Sequence, residues 1–256
     1  MSNRVQNVFV ATLSFVLATM LSAFMSALAL GFVWARGKSA GAQIEGLKHR
    51  AFLADKQRTL SFYRVFSAAY DILNPHFYTD RMRTEIIGLI QGEDLRVLDV
   101  GCGTGYTSIG LLKSNGICEV VGLDMNPVQL GRASRNLHAD KARVSLAEGD
   151  ADNLPFEAGS FDAVISVGAI ENFPNPQRTI EEMTRVTKHG GVVIVGGPEF
   201  TWFRKVALNR LLYSPSKAEV RSFFAKAGLK GEVFLTGLET AFETSRYVVV
   251  GFGRKE

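Results

Sequence analysis

An apolar run that leads directly into three closely spaced glycines constrains this chain most. Residues 97–105 read Val-Leu-Asp-Val-Gly-Cys-Gly-Thr-Gly. The run before Gly101 predicts a buried strand, and a helix is expected from Tyr106, because strand, turn and helix follow one another in α/β domains. Glycine has no Cβ atom, so the turn lets a ligand approach the backbone closely. The GxGxG spacing differs from the GxGxxG of dinucleotide enzymes and disfavours a nicotinamide dehydrogenase.

Strand and helix patterns alternate along the rest of the chain. This alternation is typical of an α/β domain with a parallel sheet. The predicted strands cover 96–100, 119–124, 144–148, 161–166, 192–196, 233–236 and 247–253. The predicted helices cover 106–114, 127–137, 176–187 and 216–226.

Acidic residues mark the ends of the first three predicted strands. Asp99 lies in the first strand, Asp124 ends the second, nineteen residues after Gly105, and Asp150 follows the third. The carboxyl ends of parallel strands form a common ligand-binding edge. A carboxylate at the tip of the second strand can accept hydrogen bonds from both hydroxyls of a ribose, as it does in dinucleotide enzymes. An acid after the third strand can accept a hydrogen bond from an adenine amino group.

The glycine turn and these acids together resemble the class I S-adenosylmethionine-dependent methyltransferase family, over roughly residues 60–253. The resemblance implies a Rossmann-like α/β sheet that is mostly parallel, with an antiparallel last strand. It also implies that Asp99 meets the ammonium of S-adenosylmethionine and that the backbone amides of the turn meet its carboxylate. The predicted cofactor-binding residues are Asp99, Gly101, Cys102, Gly103, Gly105, Asp124, Met125, Asp150, Ala151 and Ser166.

Three further segments are similar to the methyl-phytyl/solanesyl-benzoquinol methyltransferases. They are YDILNPHFYTDRMR at 70–83, IENFPNPQR at 170–178 and SFFAKAG at 222–228. This resemblance implies methylation of a ring carbon of a prenylated hydroquinone in isoprenoid-quinone biosynthesis. The plastid enzymes of that group differ from this chain, because they carry a transit peptide and a C-terminal membrane anchor.

Carbon methylation raises the question of a general base. A ring carbon attacks a sulfonium methyl only as the neighbouring phenol begins to lose its proton, and a base assists that step. His76 is favoured over Glu171, because an imidazole titrates near ~6.5. Each residue also has a structural interpretation, as the cap of a turn or the start of a helix, and proximity alone could supply the acceleration. The predicted substrate pocket consists of Tyr63, Tyr70, Phe173 and Trp202.

An apolar segment precedes this domain. Residues 8–35 are 28 positions without a charged side chain, and about 20 apolar residues cross a bilayer. We predict a single-pass membrane anchor at 1–38, a basic juxtamembrane segment at 39–60 and the methyltransferase domain at 61–256. Arg36 and Lys38 follow the span, which places the domain on the cytoplasmic side with the bilayer as a partner. A signal peptide and a buried helix are the alternatives.

Charge and cysteine content exclude several functions. The net charge of +4 arises in the first 50 residues, which carry five basic and one acidic side chain, whereas the remainder carries 24 of each. A nucleic-acid partner is therefore not predicted. Cys102 and Cys118 form no CxxC or Cys/His pattern, so no metal site or disulfide is predicted either. The sequence does not determine the oligomeric state.

Two other functions fit the same motifs. A phospholipid or sterol methyltransferase would use the same cofactor and also act on an apolar substrate. A non-catalytic, methyltransferase-like scaffold in a membrane assembly is a hypothesis of another class. The scaffold is disfavoured because the three glycines, Asp99, Asp124 and Asp150 are all present.

Overall fold

A seven-stranded sheet forms the centre of the computed structural model, which describes residues 55–64, 80–199, 215–237 and 247–256. The strands are β1 (Leu95–Val100), β2 (Ile117–Asp124), β3 (Val144–Glu148), β4 (Phe161–Val167), β5 (Thr187–Glu199), β6 (Leu229–Gly237) and β7 (Tyr247–Lys255). The described helices are α1 (56–64), α2 (Asp80–Ile87), α3 (Tyr106–Lys113), α4 (Pro127–Asn136), α5 (Pro176–Val186) and α6 (Lys217–Lys226).

The strand order across the sheet is β3-β2-β1-β4-β5-β7-β6. Neighbouring strands from β3 to β5 pair in parallel, whereas β7 is antiparallel to both β5 and β6. The Rossmann-like sheet with an antiparallel last strand is therefore confirmed. The direction of winding reverses between β1 and β4, and the carboxyl ends of parallel strands leave a ligand-binding crevice at such a switch point.

Both faces of the sheet are covered by apolar side chains. Leu98 and Val100 of β1 face one cluster, which includes Ile180 and Met183 of α5. Val97 faces the opposite cluster, which α2 and α3 complete. A parallel strand that is buried on both faces carries a nearly continuous apolar run. The buried charged residue of β1, Asp99, therefore needs a local explanation.

The helices begin where side chains cap them. Asn126 Oδ1 accepts a hydrogen bond from Val128 N at 3.0 Å, directly after β2. Pro127 occupies the first turn of α4, where a missing N–H group has no consequence. A capping box of Ser216 and Glu219 starts α6. The first of these caps fixes α4 beside the tip of β2.

Strand β5 is much longer than its sequence pattern predicts. It pairs with β4 already at Thr187, opposite Phe161, and the register then shifts before Ala163 pairs with Val192. Gly190 has φ +77°, which allows the strand to carry extra residues at this irregularity. The glycines at 190 and 191 therefore belong to a bulged strand and not to a helix end.

The described helices contradict the prediction of a single-pass membrane protein with a cytoplasmic catalytic domain. Within the described ranges, no helix combines the length and apolarity that crossing a bilayer requires. The helix α5, for example, has 11 residues, which at ~1.5 Å per residue is roughly half of the ~30 Å hydrocarbon core. Residues 8–35, on which the prediction rested, lie outside the described residues.

Candidate active site

The glycine-rich turn folds over the tip of β2. Gly101 N and Cys102 N donate hydrogen bonds to the carbonyl oxygen of Leu123, at 2.8 and 3.0 Å. Gly103 has φ +55°, and a Cβ atom built there would meet no atom of the described residues within 4 Å. The turn therefore presents bare backbone to an open space.

Asp124 is held at the end of β2 by backbone amides. Gly103 N donates to Asp124 Oδ2 at 2.9 Å, and Asn126 N donates to Asp124 Oδ1 at 2.8 Å. Burial raises the pKa of Asp124 to about 6, against the opposing effect of the amides of Asn126, Gly103 and Met125. These bonds fix the carboxylate in one orientation and leave further lone pairs for a ligand.

Asp99 lies beneath the turn and is only 2% exposed. It accepts a hydrogen bond from the Ser108 hydroxyl of α3 at 2.6 Å. Burial raises the pKa of Asp99 to about 6; the Ser108 bond opposes this, the charge of Asp124 adds to it, and the charge of Arg83 opposes it. Asp99 therefore ties α3 to β1 below the glycine turn.

An ion-pair cluster lies at the same edge of the sheet, after β3. Lys56 Nζ lies 2.6 Å from Asp150 Oδ2 and 3.0 Å from Asp152 Oδ2. Burial acts to raise the pKa of Asp150, but the bond from Lys56, the Asp152 amide and the Lys56 charge together lower it below its usual value. Asp150 is therefore a carboxylate at neutral pH.

A cavity of about 690 Å³, part of it open to solvent, lies at this edge of the sheet. One part is bordered by strand tips and the other by the segment after β4, and α1 lines it as well. The lining residues are Lys56, Thr59, Leu60, Tyr63, Gly101, Gly103, Leu123, Asp124, Met125, Asn126, Gln129, Gly149, Asp150, Ala151, Asp152, Gly168, Ala169, Asn172, Phe173 and Pro174.

Two buried amides of this lining have atoms without a hydrogen-bond partner. Asn126 is 4% exposed and Gln129 is 3% exposed. Neither Asn126 Nδ2 nor Gln129 Oε1 has a hydrogen-bond partner among the residues that the structure describes. A buried polar atom without a partner is costly, so a ligand that supplies one donor and one acceptor would be favoured here.

These features fit S-adenosylmethionine. The open space at Gly103 admits a ligand against bare backbone, and Asp124 can accept hydrogen bonds from ribose hydroxyls. The unpaired amide atoms of Asn126 and Gln129 suit a nucleoside, which carries both donors and acceptors. Asp150 is placed to accept a hydrogen bond from an amino group, and Ala151 supplies an apolar wall.

The structure brings half of the predicted site residues to the cavity. Cys102 instead points toward the sheet, because a Cβ atom on Gly122 would lie 3.0 Å from its sulfur. Burial raises the pKa of the Cys102 thiol well above its usual value. The cavity-lining predicted residues are Tyr63, Gly101, Gly103, Asp124, Met125, Asp150, Ala151 and Phe173. Asp99, Cys102, Gly105, Ser166 and Glu171 are described but are not part of the lining. Tyr70, His76 and Trp202 lie outside the described residues.

Several residues of the cavity lining are not among the site residues predicted from the sequence. Gln129 follows the tip of β2 by five residues, and its place in the first turn of α4 was the available signal. Lys56 was included in a basic segment beside a membrane, whereas the structure pairs it with two carboxylates. Residues 56, 59, 60 and 63 lie on one face of a helix, and this spacing could have identified them as residues that line a common surface.

The comparisons with known proteins agree with this geometry. Residues 98–195 match a family model described as a methyltransferase domain. A rice 2-methyl-6-phytyl-1,4-hydroquinone methyltransferase is 38% identical over 184 residues, which are 70% of this chain and 52% of that protein. The demethylmenaquinone methyltransferase of Staphylococcus aureus is 34% identical over 150 residues, 55% of this chain and 60% of that protein. This chain thus spans about half the length of the first of these relatives.

A solved structure shows the same fold. It is a chain from the complex between the Haloferax volcanii Trm112 methyltransferase activator and a methyltransferase. The TM-score is 0.65 at 23% identity, over 76% of this chain and 96% of that one. With its S-adenosylmethionine cavity and its methyltransferase relatives, the chain belongs to the class I S-adenosylmethionine-dependent methyltransferases.

Proposed function

We propose that this chain methylates a ring carbon of a prenylated hydroquinone in isoprenoid-quinone biosynthesis. The observation that carries the proposal is the 38% identity, over 184 residues, to a 2-methyl-6-phytyl-1,4-hydroquinone methyltransferase. The similarity to a demethylmenaquinone methyltransferase supports it, because both names specify a quinone-type acceptor.

In this proposal the strand tips hold the cofactor. Asp124 accepts hydrogen bonds from the ribose hydroxyls, and Gln129 and Asn126 satisfy their unpaired atoms on the same nucleoside. Asp150 accepts a hydrogen bond from the adenine amino group. Asp99 does not line the cavity, so we assign it a positioning role: through Ser108 it holds α3 and the glycine turn in place.

The segment after β4 receives the acceptor ring. Gly168, Ala169, Phe173 and Pro174 line this part of the cavity without polar side chains, and Asn172 is the polar residue of the same segment. Two small residues leave room for a flat ring, and the ring of Phe173 offers a face on which it can stack. An apolar wall also excludes water from the region where the methyl group is transferred.

When bound, S-adenosylmethionine supplies an electrophilic methyl group. The protein must orient the acceptor carbon toward that methyl and accept the proton of the neighbouring phenol. Glu171 is a candidate for this base, because it is 6% exposed and precedes the cavity-lining Asn172. His76, outside the described residues, is the second candidate.

Acceptor profiling tests the proposal. The purified full chain is incubated with methyl-labelled S-adenosylmethionine and, in separate reactions, a prenylated hydroquinone, its unprenylated counterpart, a demethylmenaquinol, phosphatidylethanolamine and a sterol. Mass spectrometry should find the label on a ring carbon of the prenylated hydroquinone. The variant Asp124→Asn should abolish this product.

The other outcomes would reject the proposal. Label in phosphatidylethanolamine or in the sterol would establish a lipid methyltransferase instead. Binding of S-adenosylhomocysteine without product from any of these acceptors would favour the non-catalytic scaffold. Label on the unprenylated ring at equal kcat/KM would show that the prenyl chain is not recognised.

A further inference from the structure

The helix α1 forms one wall of the cofactor cavity. Its residues Lys56, Thr59, Leu60 and Tyr63 all line the cavity. Their spacing of three, four and seven places them on one helical face. Seven residues of a helix extend about 10 Å, so this face covers a length comparable to that of a nucleoside.

Each end of this face is held by a different loop. At one end, Lys56 Nζ pairs with Asp150 Oδ2 at 2.6 Å and with Asp152 Oδ2 at 3.0 Å. At the other end, Asn172 Nδ2 donates a hydrogen bond to the Tyr63 hydroxyl at 3.2 Å. The helix therefore connects the segment after β3 with the segment after β4.

The Lys56 end is anchored to the core of the domain. Asp152 Oδ1 accepts a hydrogen bond at 2.7 Å from the hydroxyl of Thr179, a fully buried residue of α5. Asp152 N also donates to Asp150 Oδ1 at 3.0 Å, so the two carboxylates are held as a unit. The side chains of Lys56 and Asp152 are 34% and 16% exposed. Partial shielding of this kind makes the attraction stronger than that of an open surface pair.

Lys56 need not compete with a bound adenine for Asp150. Each carboxylate oxygen has two lone pairs, and Asp150 Oδ1 and Oδ2 each accept one hydrogen bond from the protein. The Asp150 side chain is also 43% exposed. Acceptor capacity for an amino group therefore remains while Lys56 is in place.

We propose that Lys56 is a positioning residue, which holds α1 against the adenosine end of the cavity and thereby controls how long the cofactor stays bound. The anchored helix also keeps Tyr63 at the transfer end. This inference depends on the cofactor assignment and not on the proposed acceptor, so a failure of the acceptor experiment would leave it intact.

The test measures S-adenosylhomocysteine binding to the full chain by calorimetry and stopped flow. Lys56→Met should raise Kd by roughly three- to tenfold, with most of the change in the dissociation rate. Salt should weaken binding to the wild type more than binding to the variant, because only the wild type has the ion pairs to screen. In the cofactor-free protein, hydrogen exchange of the amides at 56–64 should become faster in the variant.

Two matched variants separate positioning from general stability. Lys56→Arg keeps the charge and should restore most of the affinity. Lys188→Met removes a comparable pair, in which Lys188 Nζ lies 2.7 Å from Asp162 Oδ1 at the amino ends of β4 and β5. This control should leave Kd and hydrogen exchange at 56–64 unchanged, because it lies at the opposite edge of the sheet from the cavity.

Three results would overturn the proposal. An unchanged Kd in Lys56→Met would show that the ion pairs do not position α1. A lower Kd would show that Lys56 competes with the ligand for Asp150. An equal loss of affinity in Lys188→Met would assign the effect to overall stability.

Discussion

The two ends of the cavity are built in different ways. At the adenosine end, Asp124 and Gly103 stand on strand tips and are held by backbone hydrogen bonds. At the transfer end, the loop residues Ala169 and Phe173 and the helix residue Tyr63 meet from distant parts of the sequence. The first arrangement is fixed by the sheet itself, whereas the second depends on how loops and α1 pack.

The two ends of the cavity also differ in charge. Asp124, which is partly buried, lines the adenosine end, and the buried Asp99 lies beneath the glycine turn beside it; burial raises the pKa of each to about 6. The loop at the transfer end contributes mainly small and apolar side chains to the lining, and Asn172 is its polar member. Rigid, preorganised carboxylates bind a polar nucleoside at a cost in stability, while an apolar loop can adapt to a ring at little cost.

The largest effect is expected from a substitution of Gly103, at the adenosine end of the cavity. In Gly103→Ala the added methyl projects into the open space that we assign to the cofactor, since no atom in the described part of the chain lies within 4 Å of that Cβ position. We expect binding of S-adenosylhomocysteine, measured by calorimetry, to be abolished. The positive φ of +55° should also lower stability by about 1 kcal/mol.

Gly159 offers a matched control for that backbone cost. It has φ +68°, and its nearest contact would be Lys188 Cα at 3.9 Å. Gly159→Ala should lower the thermal midpoint by a similar amount and leave binding unchanged. Wild-type affinity in Gly103→Ala would show that the cofactor does not approach this turn.

The second expectation concerns stability and pH in the cofactor-free protein. The pKa of Asp99 rises from 3.8 in an ordinary carboxyl to about 6. Between these pH values the folded chain holds a proton that the unfolded chain has released. The penalty therefore grows as pH rises through this window and is fully present above pH 6. A pKa shift of this size corresponds to a free-energy penalty of about 2 to 3 kcal/mol.

Urea unfolding of wild type and Asp99→Asn at pH ~4 and pH ~8 measures this penalty. The free energy of unfolding of the variant should exceed that of wild type by about this amount more at pH ~8 than at pH ~4. The variant should nevertheless bind S-adenosylhomocysteine more weakly, because Ser108 loses its charged acceptor. A pH-independent difference would mean that Asp99 is not buried as an ionised group.

The same contrast explains what the sequence could predict. The run from Val97 to Gly105 contains strand, turn and helix start within nine residues, so periodicity and glycine chemistry predict it locally. Asp124 and Asp150 follow apolar strands, and parallel pairing brings such ends to one edge. The adenosine end was therefore largely predictable from local patterns.

The transfer end was not predictable in this way. The contact between Tyr63 and Asn172 joins residues 109 positions apart, and no local pattern specifies it. The segment around Lys56 has the composition of a solvated basic helix. Only the tertiary partners Asp150 and Asp152 therefore reveal the role of Lys56. The bulge in β5 was missed for a related reason, because its glycines also fit a helix end.

The third expectation sharpens the assignment of the nucleoside. Gln129→Met removes an unpaired buried amide while nearly preserving volume. Affinity for S-adenosylhomocysteine should fall by about 1 kcal/mol, roughly fivefold, and the cofactor-free protein should be slightly more stable. Gln177 also has an unpaired Oε1, but it is not part of the cavity lining. Gln177→Met should therefore leave binding unchanged, and equal losses in both variants would contradict the assignment.

The smallest effect is expected at the transfer end, where Tyr63→Phe removes only the hydroxyl that accepts the Asn172 hydrogen bond. One such bond contributes about 1 kcal/mol, and the ring itself remains in the wall of the cavity. Steady-state kinetics should therefore show a kcat lowered by about two- to fivefold, while the Kd of S-adenosylhomocysteine stays nearly constant. If Kd rises and kcat does not, Tyr63 serves the adenosine end, and the division of the cavity into a rigid nucleoside end and an adaptable transfer end is wrong.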